Sequence, residues 1–229
     1  MIPTLQDEMR VEVAPDQEVT ALIYPGGKPD LAGITLILGH GAGAGQRSGF
    51  MTSCAKGLAA RGVTVVTFDF LYMEQGRRVP DPNNKLEACF RAVAEVVRHE
   101  KIGGTLVIGG KSMGGRIASQ VASAGADVGG LVFLGYPLHP PGKFDQLRAK
   151  HLPEVKVPML FIQGSRDAFG TPGELRPILK KVQVPTELYA VEGGDHSFKV
   201  SKRAGTTQEE TDKAMLDRIE AWLRQTYPI

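Results

Sequence analysis

The chain is poor in the features that mark several protein classes. Cysteine occurs only twice in 229 residues, as Cys54 and Cys89, in unrelated contexts. That is too little for a disulfide framework or a zinc-ligand spacing. The five histidines, at positions 40, 99, 139, 151 and 196, form no His-x-x-x-His pair, so no metal site is expected. No apolar run approaches the ~18 residues of a membrane span. The first eight residues carry Asp7 and Glu8 and no apolar core, unlike a secretory leader. An excess of one charge is also missing. The 27 Lys and Arg against 25 Asp and Glu leave +2, which gives no reason to expect a nucleic-acid or membrane partner. A reducing, cytoplasmic setting fits these absences.

What is present is a globular composition, 42% hydrophobic and 23% charged, with an excess of glycine. The 28 glycines are roughly one residue in eight, against about 7% ordinarily. They follow no collagen period and form no low-complexity tract, so they imply tight turns or close backbone approach. Strand-like runs fall at 19–24, 34–38, 63–68, 106–108, 131–134, 159–162 and 187–191. Several are near-continuous Val, Ile, Leu and Phe, as in parallel strands covered on both faces.

Helical stripes lie between these runs. Phe50, Met51, Cys54, Ala55 and Leu58 share one face, with Gly62 as a stop. Leu86, Phe90, Val93 and Val97 form the next stripe, a small-residue stretch covers 113–124, and a short one covers 172–182. The last helix begins at a capping box, Thr207 to Glu210, and carries Met215, Ile219 and Trp222. The buried-face pattern assigns both cysteines to packing and not to reactivity. An all-strand start followed by repeated α–β units predicts one α/β domain over residues 1–229. Its sheet is mostly parallel, with helices on both faces and an antiparallel beginning. The longest connection, 137–157, is too short for a substantial cap.

Four segments carry chemistry, each after a strand-like run. Gly110-Lys111-Ser112-Met113-Gly114 is a G-x-S-x-G pattern between a strand and a helix. A sharp turn there throws the serine Oγ clear of the sheet, and the next amide and the helix N-terminus favour an oxyanion. An ordinary strand-to-helix turn would carry the same pentapeptide. Asp167, in Gly164-Ser165-Arg166-Asp167, stands at the carboxyl end of a strand, on the side where sites form. Alone it would read as a turn or cap residue. Asp127 and Asp145 are competitors that follow no strand in the right place. His196 lies in Gly193-Gly194-Asp195-His196, after the next run. The order Ser112, Asp167, His196 is that of a hydrolase triad.

The fourth segment is Gly39-His40-Gly41-Ala42-Gly43-Ala44-Gly45. It would supply the second oxyanion donor, from the amide of Ala42 beside that of Met113. His40, Gly41 and Gly43 are candidates for substrate contact. The same loop matches a dinucleotide fingerprint, with Asp69 as the ribose-binding acid. That rival leaves Ser112, Asp167 and His196 without a role, and strand-like sequence precedes the run where such a fold normally begins. A phosphate-binding P-loop is excluded, because Thr105 stands where its first glycine must be.

A fifth segment, 68–78, reads as a loop continuing from a strand end over the site. It offers Tyr72, Arg77 and Arg78 as substrate contacts, the arginines for an anion. They read equally well as a solvated loop tied by Glu74. Arg47, Lys111 and Arg116 taken singly read as solvated charges.

These segments resemble the α/β-hydrolase superfamily, and within it small capless members related to dienelactone hydrolase. They resemble still more the hydrolase-like group that includes testis-expressed proteins and a subunit of the non-specific-lethal chromatin complex. The matching stretches begin at His40, Phe68 through Pro80, Gly109 through Arg116, Gly164 through Asp167, and Asp195 through Phe198. The resemblance implies the fold and the triad positions Ser112, Asp167 and His196. Dienelactone hydrolases carry cysteine where this chain has Ser112, which argues against dienelactone as substrate. The expectation is a serine hydrolase of carboxylic esters or thioesters, working on a small molecule with no metal or organic cofactor. A non-catalytic binding module on the same fold is the alternative, and a dinucleotide-binding protein a more distant one.

Overall fold

A computed structural model describes residues 7–26, 31, 33–100, 102, 104–201 and 205–228. Its centre is one eight-stranded sheet, in the order β1-β2-β4-β3-β5-β6-β7-β8. The strands are β1 (Asp7–Ala14), β2 (Gln17–Tyr24), β3 (Ile34–Gly39), β4 (Thr64–Phe68), β5 (Thr105–Lys111), β6 (Gly130–Leu134), β7 (Met159–Gly164) and β8 (Thr186–Val191). β2 is antiparallel to both β1 and β4, and β3 to β8 run parallel. β3, β6 and β7 are buried along their whole length, which explains their unbroken apolar sequence.

Two faces of the sheet are covered. Helices α1 (Gly49–Ala59) and α6 (Gln208–Thr226) close one, through Met51, Leu58, Met215, Ile219 and Trp222. Helices α3 (Asn83–His99) and α4 (Met113–Ser123) close the other, with Phe90, Val93, Ile117 and Val121. The short helix α5 (Pro172–Leu179) adds Leu175 to that second core. The capping box expected at Thr207 and Glu210 is formed, and Thr171 with Glu174 forms another at α5. Cys54 and Cys89 lie in these two cores, and burial pushes both thiols up to about 12. Only a three-residue 3-10 turn (Leu152–Glu154) lies between β6 and β7, so among the described residues no cap domain covers the sheet's carboxyl edge.

Three elements depart from the sequence reading. β1 was not expected, because its sequence DEMRVEVA is half charged and only Val11 is buried. It is an edge strand, held by pairing with β2 around a turn at Pro15 and Asp16, and Asp16 takes φ 58°. β5 runs past Ile108 through both glycines to Lys111. It pairs with β3 on one side and β6 on the other, so backbone bonds replace side-chain preference there. Segment 68–78 is not a loop throughout. Leu71–Glu74 forms a one-turn helix, α2.

Gly109 shows why side chains are excluded from this part of the sheet. A Cβ there would fall 1.9 Å from the carbonyl oxygen of Val132. Gly109→Ala is expected to lower the unfolding free energy by about 3 kcal/mol or more, because backbone must move. Gly49→Ala, at a helix start where a Cβ meets nothing within 4 Å, should change it by less than about 0.5 kcal/mol. Urea unfolding of the two variants checks the contrast.

Candidate active site

The turn at Ser112 follows from how closely β3, β5 and α4 approach. A Cβ on Gly110 or Gly114 would lie 2.2 or 2.1 Å from the Gly39 carbonyl oxygen. With bare glycine at both places, β5 turns into α4 through one residue, and Ser112 takes φ 49° and ψ −113°. A non-glycine residue in that region is strained and needs surrounding structure to hold it. Here the Ser112 amide donates to the Leu134 carbonyl at 3.0 Å. Ser112 occupies the N-cap of α4, yet its side chain makes no capping bond. Its Oγ is engaged elsewhere, 2.8 Å from Nε2 of His196.

The opposite ring nitrogen of His196, Nδ1, lies 2.8 Å from Oδ2 of Asp167. Asp167 is the natural acceptor, so Nδ1 carries the hydrogen and Nε2 is left to accept from Ser112. The Asp167 side chain is fully buried, whereas that of His196 is 21% exposed. Two further donors hold the carboxylate. Gln163 Nε2 donates to Oδ2 and the Phe169 amide to Oδ1, each at 2.8 Å. The structure thus brings Ser112, Asp167 and His196 into one hydrogen-bonded chain. The loops carrying the last two are tied together. The Gly193 amide donates to Ser165 Oγ at 2.8 Å, and the Arg166 amide to the Gly194 carbonyl at 2.9 Å. Asp195 Oδ1 accepts from the amides of Ser197 and Lys199, which fixes the turn around His196.

A cleft of about 1230 Å³ opens over this chain, with Gly41, Ala42, Ser112, Met113 and His196 in its wall. The amides of Ala42 and Met113 have no hydrogen-bond partner among the described residues. Both are therefore free to bind an oxygen in the cleft. His40 does not reach the cleft. It is completely buried, and its ring braces the loop from below. Nε2 accepts from the Phe70 amide at 3.1 Å, so Nδ1 carries the hydrogen and donates to the Gly41 carbonyl at 2.8 Å. Burial holds its pKa below the usual value, which suits that neutral role. Gly43 is exposed but outside the cleft wall.

Besides His40 and Gly43, three more expected substrate contacts are corrected. Tyr72 is fully buried, because α2 turns its ring inward against His40. Arg77 clasps the Asp81 carboxylate with both terminal nitrogens, at 2.8 and 3.2 Å. Arg78 is exposed and lies outside the cleft wall. Glu74 ties the segment down as expected, but to Thr20 and Arg10 and not to either of these arginines. Asp69 accepts from the amide of Gln46 at 2.7 Å and braces the glycine loop. The dinucleotide reading therefore loses its ribose ligand.

Lys111 was underrated by the sequence. Its Nζ is drawn into the cleft wall and donates to the His196 carbonyl at 2.6 Å. Phe50 and Phe198 flank it, with ring centres 6.0 and 5.3 Å from the ammonium. Gln163 and Phe169 were also missed. The signal for Gln163 was present, as a polar residue closing the apolar run 159–162 four positions before Asp167. Among the described residues no group of three His, Cys, Asp or Glu side chains is placed to hold a metal ion. No helix among them is long and apolar enough to cross a membrane.

Residues 32–224 match the family described as "Alpha/beta hydrolase domain". The chain belongs to the α/β-hydrolase family. Solved structures share the fold across almost the whole chain. An α-β serine hydrolase homologue from Coxiella burnetii is 18% identical, with 97% of this chain and 98% of that one covered and a TM-score of 0.72. An α/β serine hydrolase without lid from Xanthomonas campestris is 22% identical, covering 98% and 94%, with a TM-score of 0.70. Dienelactone hydrolase from Anabaena variabilis is 19% identical, covering 96% and 97%, with a TM-score of 0.74. This α/β hydrolase thus shares its fold with them, and the Xanthomonas campestris structure is described as lacking a lid.

The hydrolase carries one charge whose burial has a measurable consequence. Burial lowers the Lys111 ammonium from 10.5 to about 8, against opposing attraction from Asp167 and Asp195. Between those pH values the unfolded chain holds more protons than the folded one, so stability from this group rises with pH. The gain from pH 8 to 10.5 is at most about 3 kcal/mol. Lys111→Met should abolish that part of the rise. Urea unfolding of wild type and variant at pH 7.5 and 10 measures the difference.

Proposed function

We propose that this protein is a serine hydrolase of carboxylic esters or thioesters. The observation that carries the reading is the Ser112–His196–Asp167 chain, with both links at 2.8 Å, at the foot of an open cleft. Ser112 Oγ attacks the acyl carbon as its proton passes to His196 Nε2. Asp167 holds the imidazole in the required tautomer and stabilises the imidazolium. The carbonyl oxygen becomes an oxyanion facing the amides of Ala42 and Met113, each worth roughly 3 kcal/mol in comparable sites. The acyl–oxygen or acyl–sulfur bond then breaks, and the leaving group takes the proton from His196. Water next attacks the acyl-enzyme, giving its proton to His196, which returns it to Ser112 as the acid departs. Shape and free donors support this assignment, and the serine hydrolases of the same fold are consistent with it.

A fluorophosphonate probe is expected to label wild-type protein at Ser112, with Ser112→Ala unlabelled. Asp167→Asn should retain the fold and lose roughly 10³–10⁴-fold in kcat on a small ester, because the imidazole tautomer is no longer held. Intact-protein mass spectrometry reads the first and steady-state kinetics the second. Wild-type protein that stays unlabelled beside a reactive control enzyme rules the mechanism out.

A further inference from the structure

Two arginines in the cleft wall, Arg116 and Arg148, have no role in the triad and no carboxylate partner among the described residues. Arg116 stands one helical turn after Ser112 on α4, a rise of about 6 Å. Its Nη1 donates to Gln120 Oε1 and its Nη2 to Asn83 Oδ1, both at 3.1 Å. Both partners are neutral amides. They fix the plane of the guanidinium and carry no charge of their own; Glu87 attracts it, without a hydrogen bond or ion pair to it. Arg148 lies in the connection between β6 and β7, with its backbone pinned on both sides. Its amide donates to the Leu138 carbonyl at 2.8 Å, and its carbonyl accepts from the buried Tyr136 hydroxyl at 2.8 Å. The Arg148 side chain is exposed and makes no hydrogen bond or ion pair among the described residues.

The two cations sense each other. Burial first, and repulsion from Arg148 as well, hold the Arg116 pKa below the ordinary arginine value. Neither acid of the cleft wall is paired with Arg116. Asp81 is clasped by Arg77, and Asp212, which keeps its charge, makes its hydrogen bond to Gln208 Nε2 at 2.7 Å. Two arginines in one cleft wall, neither of them ion-paired, offer charged donors suited to a carboxylate. A half-buried guanidinium binds such an anion more strongly than a fully solvated one.

We infer that Arg116 and Arg148 together bind a carboxylate carried by the substrate, so that the hydrolysed ester is one of an acidic molecule. The inference rests on the serine-hydrolase reading for the word substrate, while carboxylate binding itself can be measured without turnover. One turn of α4 separates Arg116 from Ser112, so probes with the carboxylate about four carbons from the acyl carbon are the first choice.

The test uses Ser112→Ala protein, which holds esters without cleaving them, and titration calorimetry at pH 7.5. One arm compares monomethyl glutarate with dimethyl glutarate, placing the charge on the acyl side. The other compares 4-acetoxybutanoate with its methyl ester, placing it on the alcohol side. In one arm the carboxylate is expected to bind at least about tenfold more tightly than the neutral ester. That arm tells which side of the ester carries the charge. Adding Arg116→Gln should reduce the preference to below about threefold. Adding the exposed Arg148→Gln, which leaves the core untouched, should reduce it as well. Equal affinity in both arms, or a preference that survives the double arginine variant, overturns the inference. Fluorophosphonate labelling of the wild type separates the two readings. A labelled protein with no carboxylate preference keeps the hydrolase and discards the subsite. An unlabelled protein with the preference keeps the subsite and discards the hydrolase.

Discussion

The site depends on one backbone contact, the packing of the Gly39 carbonyl against Gly110 and Gly114. No side chain fits there, so the strand-to-helix turn is sharp and Ser112 is pressed into a positive φ. The consequence is chemical. A serine at a helix N-cap ordinarily spends its hydroxyl on its own helix. Ser112 cannot, and its Oγ is delivered to His196 instead. The same contact brings the loop of Gly41 and Ala42 alongside the turn, where Gly41 packs against Ser112 and Lys111. Nucleophile and candidate oxyanion amides are thus positioned by one constraint, and the strain at Ser112 is held by the sheet around it.

The second half of the site is held by a different device. β7 ends in a glycine because a Cβ on Gly164 would lie 2.5 Å from the carbonyls of Gly194 and Asp195. The loops after β7 and β8 therefore lie against each other, and Asp167 meets His196 without a long reach. Gln163 braces this junction from within. Its amide nitrogen donates to Asp167 and to the Gly170 carbonyl, and its oxygen accepts from the Tyr136 amide. Lys111 holds the same loop from the other side, through the His196 carbonyl.

How much of this could be read from the sequence depends on the range of the signal. Seven of the eight strands were visible as apolar runs, most plainly β3, β6 and β7, whose burial on both faces leaves a continuous pattern. β5 was read too short, since its last residues are held by ladder bonds and close approach, which leave only glycine to see. β1 was invisible because an edge strand buries one residue, Val11, and keeps its charges. Ser112, Asp167 and His196 could be nominated because each follows a strand, and parallel strands end on one edge of a sheet. Long side chains were harder, since their destination is a tertiary matter. Tyr72 and Arg77 sat in the right segment and turned elsewhere, once α2 formed and Asp81 captured Arg77. Lys111 and Arg116 looked like ordinary surface charges, and their meaning came from the walls around them.

Charge placement around the cleft ties these parts together. The N-terminus of α4 begins at Ser112, and Lys111, Arg116 and Arg148 share the cleft wall with it, alongside Asp81 and Asp212. The helix dipole and these cations favour an oxyanion at the reacting carbonyl. The same charges repel the imidazolium that the proposed first step forms. Asp167 opposes that effect at the one ring nitrogen where opposition does not weaken the oxyanion. Its carboxylate is fully buried and faces Nδ1, on the side of the ring away from Ser112. Its own desolvation is offset by donors from Gln163 and Phe169. One well-bonded buried acid on the far side of the histidine lets the near side stay positive. That division allows a single cleft to stabilise an oxyanion and still accept a proton on His196.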